Sequence, residues 1–138
     1  MTRRRLLYTI LCAVLAGRAA AGFAQAKTSM REAMTRAFEM RRRAEAAGDQ
    51  PYGAVVLRDG VIIAESPSRV VSAANADAHA ERESLRLAQE FLGARDLAGC
   101  LLVSSSRPCG LCEKAAFAAR IARMIHGESL TDAGPPRG

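Results

Sequence analysis

The segment YGAVVLRDGVIIAES, residues 52–66, limits the possible folds of this 138-residue chain more than any other stretch. Two aliphatic runs, residues 55–57 and 61–63, flank Asp59-Gly60, the dipeptide of a two-residue hairpin turn. Neither run alternates apolar with polar residues. Both faces of the resulting sheet therefore need covering, and helices on each side are the expected cover.

Helical patterns flank the hairpin. Upstream, Ser29 and Glu32 form a capping-box signature, and Met30, Ala33, Met34, Ala37 and Phe38 recur at helical spacing until Gly48 closes the segment. Downstream of Pro67, which ends the second strand, SAANADAHAERESLRLAQEFLG reads as a loop entering a helix. That helix begins near His79, stops at Gly93, and has Leu85, Ala88 and Leu92 on its inner face. GCLLVSSS is a third strand opened by the small apolar Cys100. PCGLCEKAAFAARIA is a third helix with Pro108 at its mouth. RMIHGESL is a fourth strand, and the final TDAGPPRG, all turn formers, is expected to add no element. The order α-β-β-α-β-α-β predicts an α/β domain of layered sheet and helices.

Charge matters mainly by its location. The formal charge is +6, but Arg3, Arg4, Arg5 and Arg18 lie in the first 26 residues, which hold no acid. The remainder has sixteen basic residues against fourteen acidic ones, a net +2, so the basic balance says little about partners of the domain itself. Arg41, Arg42 and Arg43 form the one dense basic patch left, read as a solvated helix face with RNA contact as the alternative. Residues 1–26 have a basic start, an apolar run over 6–17 and a small-residue Ala24-Gln25-Ala26 site, the three-part pattern of an export signal. Twelve residues of helix span about 18 Å, short of the ~30 Å hydrocarbon core of a bilayer. TRRRLL also fits a twin-arginine pattern, a route for proteins that fold before export. The expectation is a leader at 1–26 and a domain at 27–138, periplasmic or secreted and free of the membrane after cleavage. Translation starting at Met30 is the other reading, and it implies a cytoplasmic protein. Cleavage removes Cys12 and leaves Cys100, Cys109 and Cys112, an odd count that argues against a disulfide framework.

Chemistry concentrates in two short motifs. Cys109 and Cys112, three residues apart at a helix start, put both sulfurs on one face, where the positive end of the helix dipole favours thiolates. His79 also stands at a helix start, and Glu81 follows it by two residues. One imidazole and two thiolates make a three-ligand zinc site with an open position, the catalytic rather than the structural arrangement. Glu81, not needed as a ligand, is then free to move protons. His126 and Cys100 are read as structural, Glu83 and Glu113 as exposed helix charges. Asn75 and Asp77 are candidates for substrate contact or plain turn chemistry.

His79-Ala80-Glu81 with PCGLC at 108–112 matches the H-x-E…P-C-x-x-C signature of zinc nucleobase deaminases. From about residue 30 to 134 the chain resembles the cytidine and deoxycytidylate deaminase superfamily, in the branch of guanine deaminases and tRNA adenosine deaminases. YGAVVLRDG, AHAERESLRLA and AARIARMIHG carry the likeness. The resemblance implies a three-layer α/β/α sandwich with a mixed central sheet, Zn2+ held by His79, Cys109 and Cys112, and Glu81 as the catalytic proton shuttle. Zinc-activated water would attack the amino-bearing ring carbon of a small nucleobase or nucleoside, releasing ammonia. It also implies homo-oligomers. Three departures accompany it. Ser68 stands where the family has a substrate-contacting asparagine. Arg107 replaces an acid. The C-terminal elements look shortened, without the aspartate that guanine deaminases use on their substrate. These departures argue against tight guanine specificity.

Other functions compete. A tRNA-specific adenosine deaminase fits if the chain is not exported, although two Tyr, four Phe and no Trp offer few base-stacking platforms. A thiol-disulfide redox pair would leave His79 and Glu81 unexplained. A zinc domain that has lost catalysis is the third alternative.

Overall fold

The computed structural model describes residues 26–138 of the chain; positions 1–25 of the expected leader lie outside the described residues. The elements run α1 (Met30–Ala46), β1 (Gly53–Arg58), β2 (Val61–Pro67), α2 (Ala80–Leu92), β3 (Cys100–Ser104), α3 (Gly110–Ala118), β4 (Arg123–His126) and β5 (Thr131–Gly134). The five strands form one mixed sheet in the order β2-β1-β3-β4-β5, with β3 and β4 parallel and the other neighbours antiparallel.

Local chemistry sets most boundaries. Ser29 Oγ accepts from the Glu32 amide while Glu32 reaches back to the Ser29 amide, completing the capping box at α1. At the hairpin, Asp59 (φ 51°) and Gly60 (φ 75°) both adopt left-handed backbone, as a type I′ turn requires, and Arg58 pairs directly with Val61.

The sheet separates two apolar clusters. Val55 and Leu57 point toward Ala33, Met34 and Ala37 of α1. Ala54 and Val56 point the other way, toward Ala80, Leu85 and Ala88 of α2 and Ala116 of α3. The strand alternation that sends neighbours to opposite faces thus yields the three-layer α/β/α sandwich expected from the sequence. β1 is buried on both faces. β2, at the sheet edge, is only half covered, against the expectation for its unbroken apolar run.

Two further expectations are corrected. Residues 131–134 do form a strand, β5, which pairs antiparallel with β4 and is tied to it by the Arg123–Asp132 ion pair. The open edge of β4 recruits this turn-like segment. The third helix ends at Ala118 instead of continuing to 122. Arg120 takes a left-handed φ of 63°, its amide donates to Phe117 O and that of Ile121 to Ala116 O, a Schellman stop without glycine. Among the described residues no helix is long and apolar enough to cross a membrane.

Gly53 lets α1 lie against β1. A Cβ added there would sit 2.2 Å from Ala37 O and 2.3 Å from Arg41 N, both rigid backbone atoms. Gly53→Ala is expected to destabilise the fold by about 3 kcal/mol, the upper range for overpacking, read as a lower urea midpoint at unchanged slope. A midpoint like that of the native chain would show that α1 can move away freely.

Candidate metal centre and active site

Strand directions bring the two motifs together. β2 and β3 are both antiparallel to β1, so they run parallel to each other and end at the same edge of the sheet. The helices that follow, α2 and α3, therefore start at that shared edge and pack on each other. His79 is the N-cap residue of α2 and Cys109 that of α3, with Cys112 one turn in.

The side chains converge as the motif reading required. His79 Nδ1 lies 3.8 Å from Cys109 Sγ and 3.5 Å from Cys112 Sγ, and the two sulfurs are 3.2 Å apart. All three cysteines of the domain are free thiols. Cys109 Sγ accepts from the Cys112 amide at 3.4 Å, a sulfur playing the part of a helix cap. Glu81, 5% exposed, places Oε2 3.8 Å from Cys112 Sγ. Burial pushes the Glu81 carboxyl above its ordinary pKa. Burial, then the neighbouring Glu81 and Cys109, push the Cys112 thiol up much further.

Other candidates fall outside this group. Ser68, where a substrate-contacting asparagine was the family expectation, is buried and donates its hydroxyl to Asp49 Oδ1 at 2.9 Å. Its side chain is spent inside the protein. Asn75 Oδ1 caps the Asp77 amide, and Asp77 pairs with Arg82, which is turn chemistry. Glu83 and Glu113, expected to be exposed charges, are half-buried and paired with Arg86 and Arg137. Cys100 is a core residue, as read. Arg41 bonds Glu45, whereas Arg42 and Arg43 are exposed. The residue that sequence reasoning missed is Asp49. It is buried, and its carboxylate collects bonds from Gln50, Ser68, Val71 and Ser72. Burial opposes its ionisation, but the amides of Ser72, Gln50 and Val71 and the Ser68 hydroxyl outweigh burial and hold the carboxyl well below its ordinary value.

Comparison with known proteins decides the family. The model of the cytidine and deoxycytidylate deaminase zinc-binding region matches residues 27–128. The chain belongs to this family. Among its relatives is the guanine deaminase of Bacillus subtilis, 40% identical over 83 residues, which are 60% of this chain and 53% of that protein. The tRNA-specific adenosine deaminase of Agrobacterium fabrum is 39% identical over 87 residues, 61% of this chain and 57% of that one. The solved structure of the Bacillus subtilis guanine deaminase superposes with a TM-score of 0.70 at 34% identity, covering 72% of this chain and 64% of that one. The chain spans a little over half the length of these two curated relatives.

The family cofactor is zinc, and the donor set of this chain fits it. With Zn–S near 2.3 Å and Zn–N near 2.0–2.1 Å, a tetrahedral site has N–S edges of about 3.6 Å and an S–S edge of about 3.8 Å. The observed N–S edges match at 3.5 and 3.8 Å, and the S–S edge is tighter at 3.2 Å. A buried thiol beside a buried carboxyl is an unfavourable place for negative charge, and a divalent cation reverses that balance by binding thiolate.

Reduced protein is expected to take up one zinc per chain, and His79→Ala or Cys112→Ala to lose most of it, as read by metal analysis. Burial raises the Cys112 pKa, so this thiol is protonated without metal and gives up its proton on loading. Affinity should therefore fall as pH is lowered from 8 to 6, about tenfold per unit for each proton released. A pH-independent affinity would mean that the thiols are not the ligands.

Proposed function

We propose that this chain is a zinc-dependent hydrolytic deaminase acting on a small amino-bearing nucleobase or nucleoside. The observation that carries the reading is the meeting of His79 Nδ1 with both sulfurs beside the buried Glu81. His79, Cys109 and Cys112 would hold the metal. When bound, zinc supplies a Lewis acid that polarises water at neutral pH. Glu81 is the proton carrier. It takes one proton from the attacking water and passes it to the ring nitrogen, then takes the second from the added hydroxyl and delivers it to the departing amine. Water adds at the amino-bearing carbon, the C–N bond breaks, ammonia leaves, and the ring carbon retains the oxygen as a carbonyl. The raised pKa of Glu81 suits this exchange, because a carboxyl that holds protons nearer neutrality both accepts and returns them. The names of the relatives, guanine deaminase and tRNA-specific adenosine deaminase, point to amino-bearing purines as the first compounds to test.

The leader reading places the domain outside the cytoplasm, which favours a small substrate over tRNA. Likeness to tRNA-specific adenosine deaminases and the exposed Arg42 and Arg43 favour the second reading. Steeply salt-dependent binding of an anticodon stem-loop would support it, and no binding at low salt would remove it. Homo-oligomerisation belongs to the leading reading, since β2 and β5 form the sheet edges. Sedimentation checks it.

The direct test is ammonia release from a panel of purines, pyrimidines and their nucleosides at full zinc occupancy. At least one is expected to react, and silence across the panel would favour a zinc domain without catalysis. Glu81→Gln should keep its zinc and lose about 10²–10⁴-fold in kcat. Full activity in that variant would remove Glu81 from the mechanism.

A further inference from the structure

His79 has an orientation problem. Metal-binding histidines usually fix the ring by donating their second N–H to a carboxylate or carbonyl. Here the imidazole contacts are those of Nδ1 with the two sulfurs, and among the described residues no hydrogen bond holds the second nitrogen. Its side chain makes no capping bond either. The backbone that delivers His79 must therefore hold the ring in place.

That backbone is the end of a strap, residues 69–78, between β2 and α2. The Arg69 amide bonds Ala78 O at 2.9 Å, closing the strap at its base one residue before His79. Within it, Ala73 bonds Arg69 O, Ala74 bonds Val71 O, Asn75 bonds Val70 O and Ala78 bonds Asn75 O. Residues 71–77 are exposed, Val71 at 59%, so apolar burial does little to anchor the strap. Two ties reach it from outside. One is the exposed Arg82–Asp77 ion pair, which solvent screens. The other is Asp49, whose Oδ2 accepts the amides of Val71 at 3.1 Å and Ser72 at 2.8 Å while Oδ1 accepts the Ser68 hydroxyl at 2.9 Å. Asp49 is itself fixed, its amide bonded to Ala44 O at the end of α1.

We propose that Asp49 is a positioning residue for the metal centre: it clamps the 69–78 strap to the α1–β1 corner and so sets the His79 imidazole against Cys109 and Cys112. The proposal rests on the reading of His79 as a zinc ligand. It also gives Ser68 a role, as the first post of the clamp rather than a reader of substrate.

The test compares Asp49→Ala and Ser68→Ala with Val103→Ala, a core substitution on the α1 side of the sheet that touches neither strap nor site. Zinc affinity is measured by chelator competition, ligand geometry by the visible spectrum of the cobalt(II) form, and strap mobility by amide hydrogen exchange. Asp49→Ala leaves the strap amides without their acceptor. It is expected to weaken zinc by about 10–100-fold, the range for groups that orient ligands. It should also shift the cobalt bands and speed exchange at Val71 and Ser72. Ser68→Ala, with both strap amides still bound, should weaken zinc by a few-fold at most. Zinc affinity of Asp49→Ala within twofold of the native chain would overturn the proposal. So would an equal loss of zinc in Val103→Ala at the same drop in Tm, because the effect would then be one of stability alone. These readouts report on the strap whether or not any heterocycle is turned over.

Discussion

Everything at the candidate centre depends on β1 being shared by two antiparallel neighbours. Because β2 and β3 each run against β1, they end at one edge, and the helices that leave those ends must begin there. Side-chain bonds reinforce this placement. Ser84 of α2 donates its hydroxyl to Ala54 O, and Ser105, in the loop leading to α3, accepts the Gly53 amide. Both helix starts are thus attached to the first two residues of the same central strand. On the opposite face Gly53 admits α1 to backbone contact, so the strand that carries the site is held from both sides.

Two helix N-termini meeting at one edge concentrate positive partial charge there. The residues that fill the space are an acid, two thiols and an imidazole, all of which favour a cation or a moving proton. Without metal, Glu81 and Cys112 are buried side by side: burial raises the pKa of both, and the Glu81 carboxylate adds to the cost of ionising Cys112. A divalent ion resolves this conflict at once, which is why geometry and electrostatics support the same cofactor. The cost falls on the apo state, and the strap and clamp around Asp49 keep the donors gathered while that cost is borne.

The parts of the fold that were legible in sequence are those fixed by local chemistry. Asp59-Gly60 has few alternatives to a tight turn, Ser29 with Glu32 has a defined capping role, and Gly93 is a helix stop with φ of 61°. The parts that were not legible depend on partners distant in the chain. Nothing local marks Arg120 as the left-handed residue that ends α3, because the alanine-rich run continues through it. Residues 131–134 have turn composition and become a strand only because the edge of β4 offers unpaired backbone and Arg123 meets Asp132. Asp49 reads as an ordinary residue after a helix-ending glycine; its four bonds come from the adjacent amide and from residues 19 to 23 positions downstream.

The sequence by itself determined the donor types, their spacing and the helix starts that present them, since H-x-E and P-C-x-x-C at helix mouths are local statements about side-chain direction and dipole. Tertiary structure alone decided that His79 and the cysteine pair, about thirty residues apart, lie within 3.8 Å. It also decided that Ser68 turns inward to Asp49 instead of outward to a ligand. Strand order and buried hydrogen bonds are pairwise properties of distant segments, and no single stretch of chain encodes them.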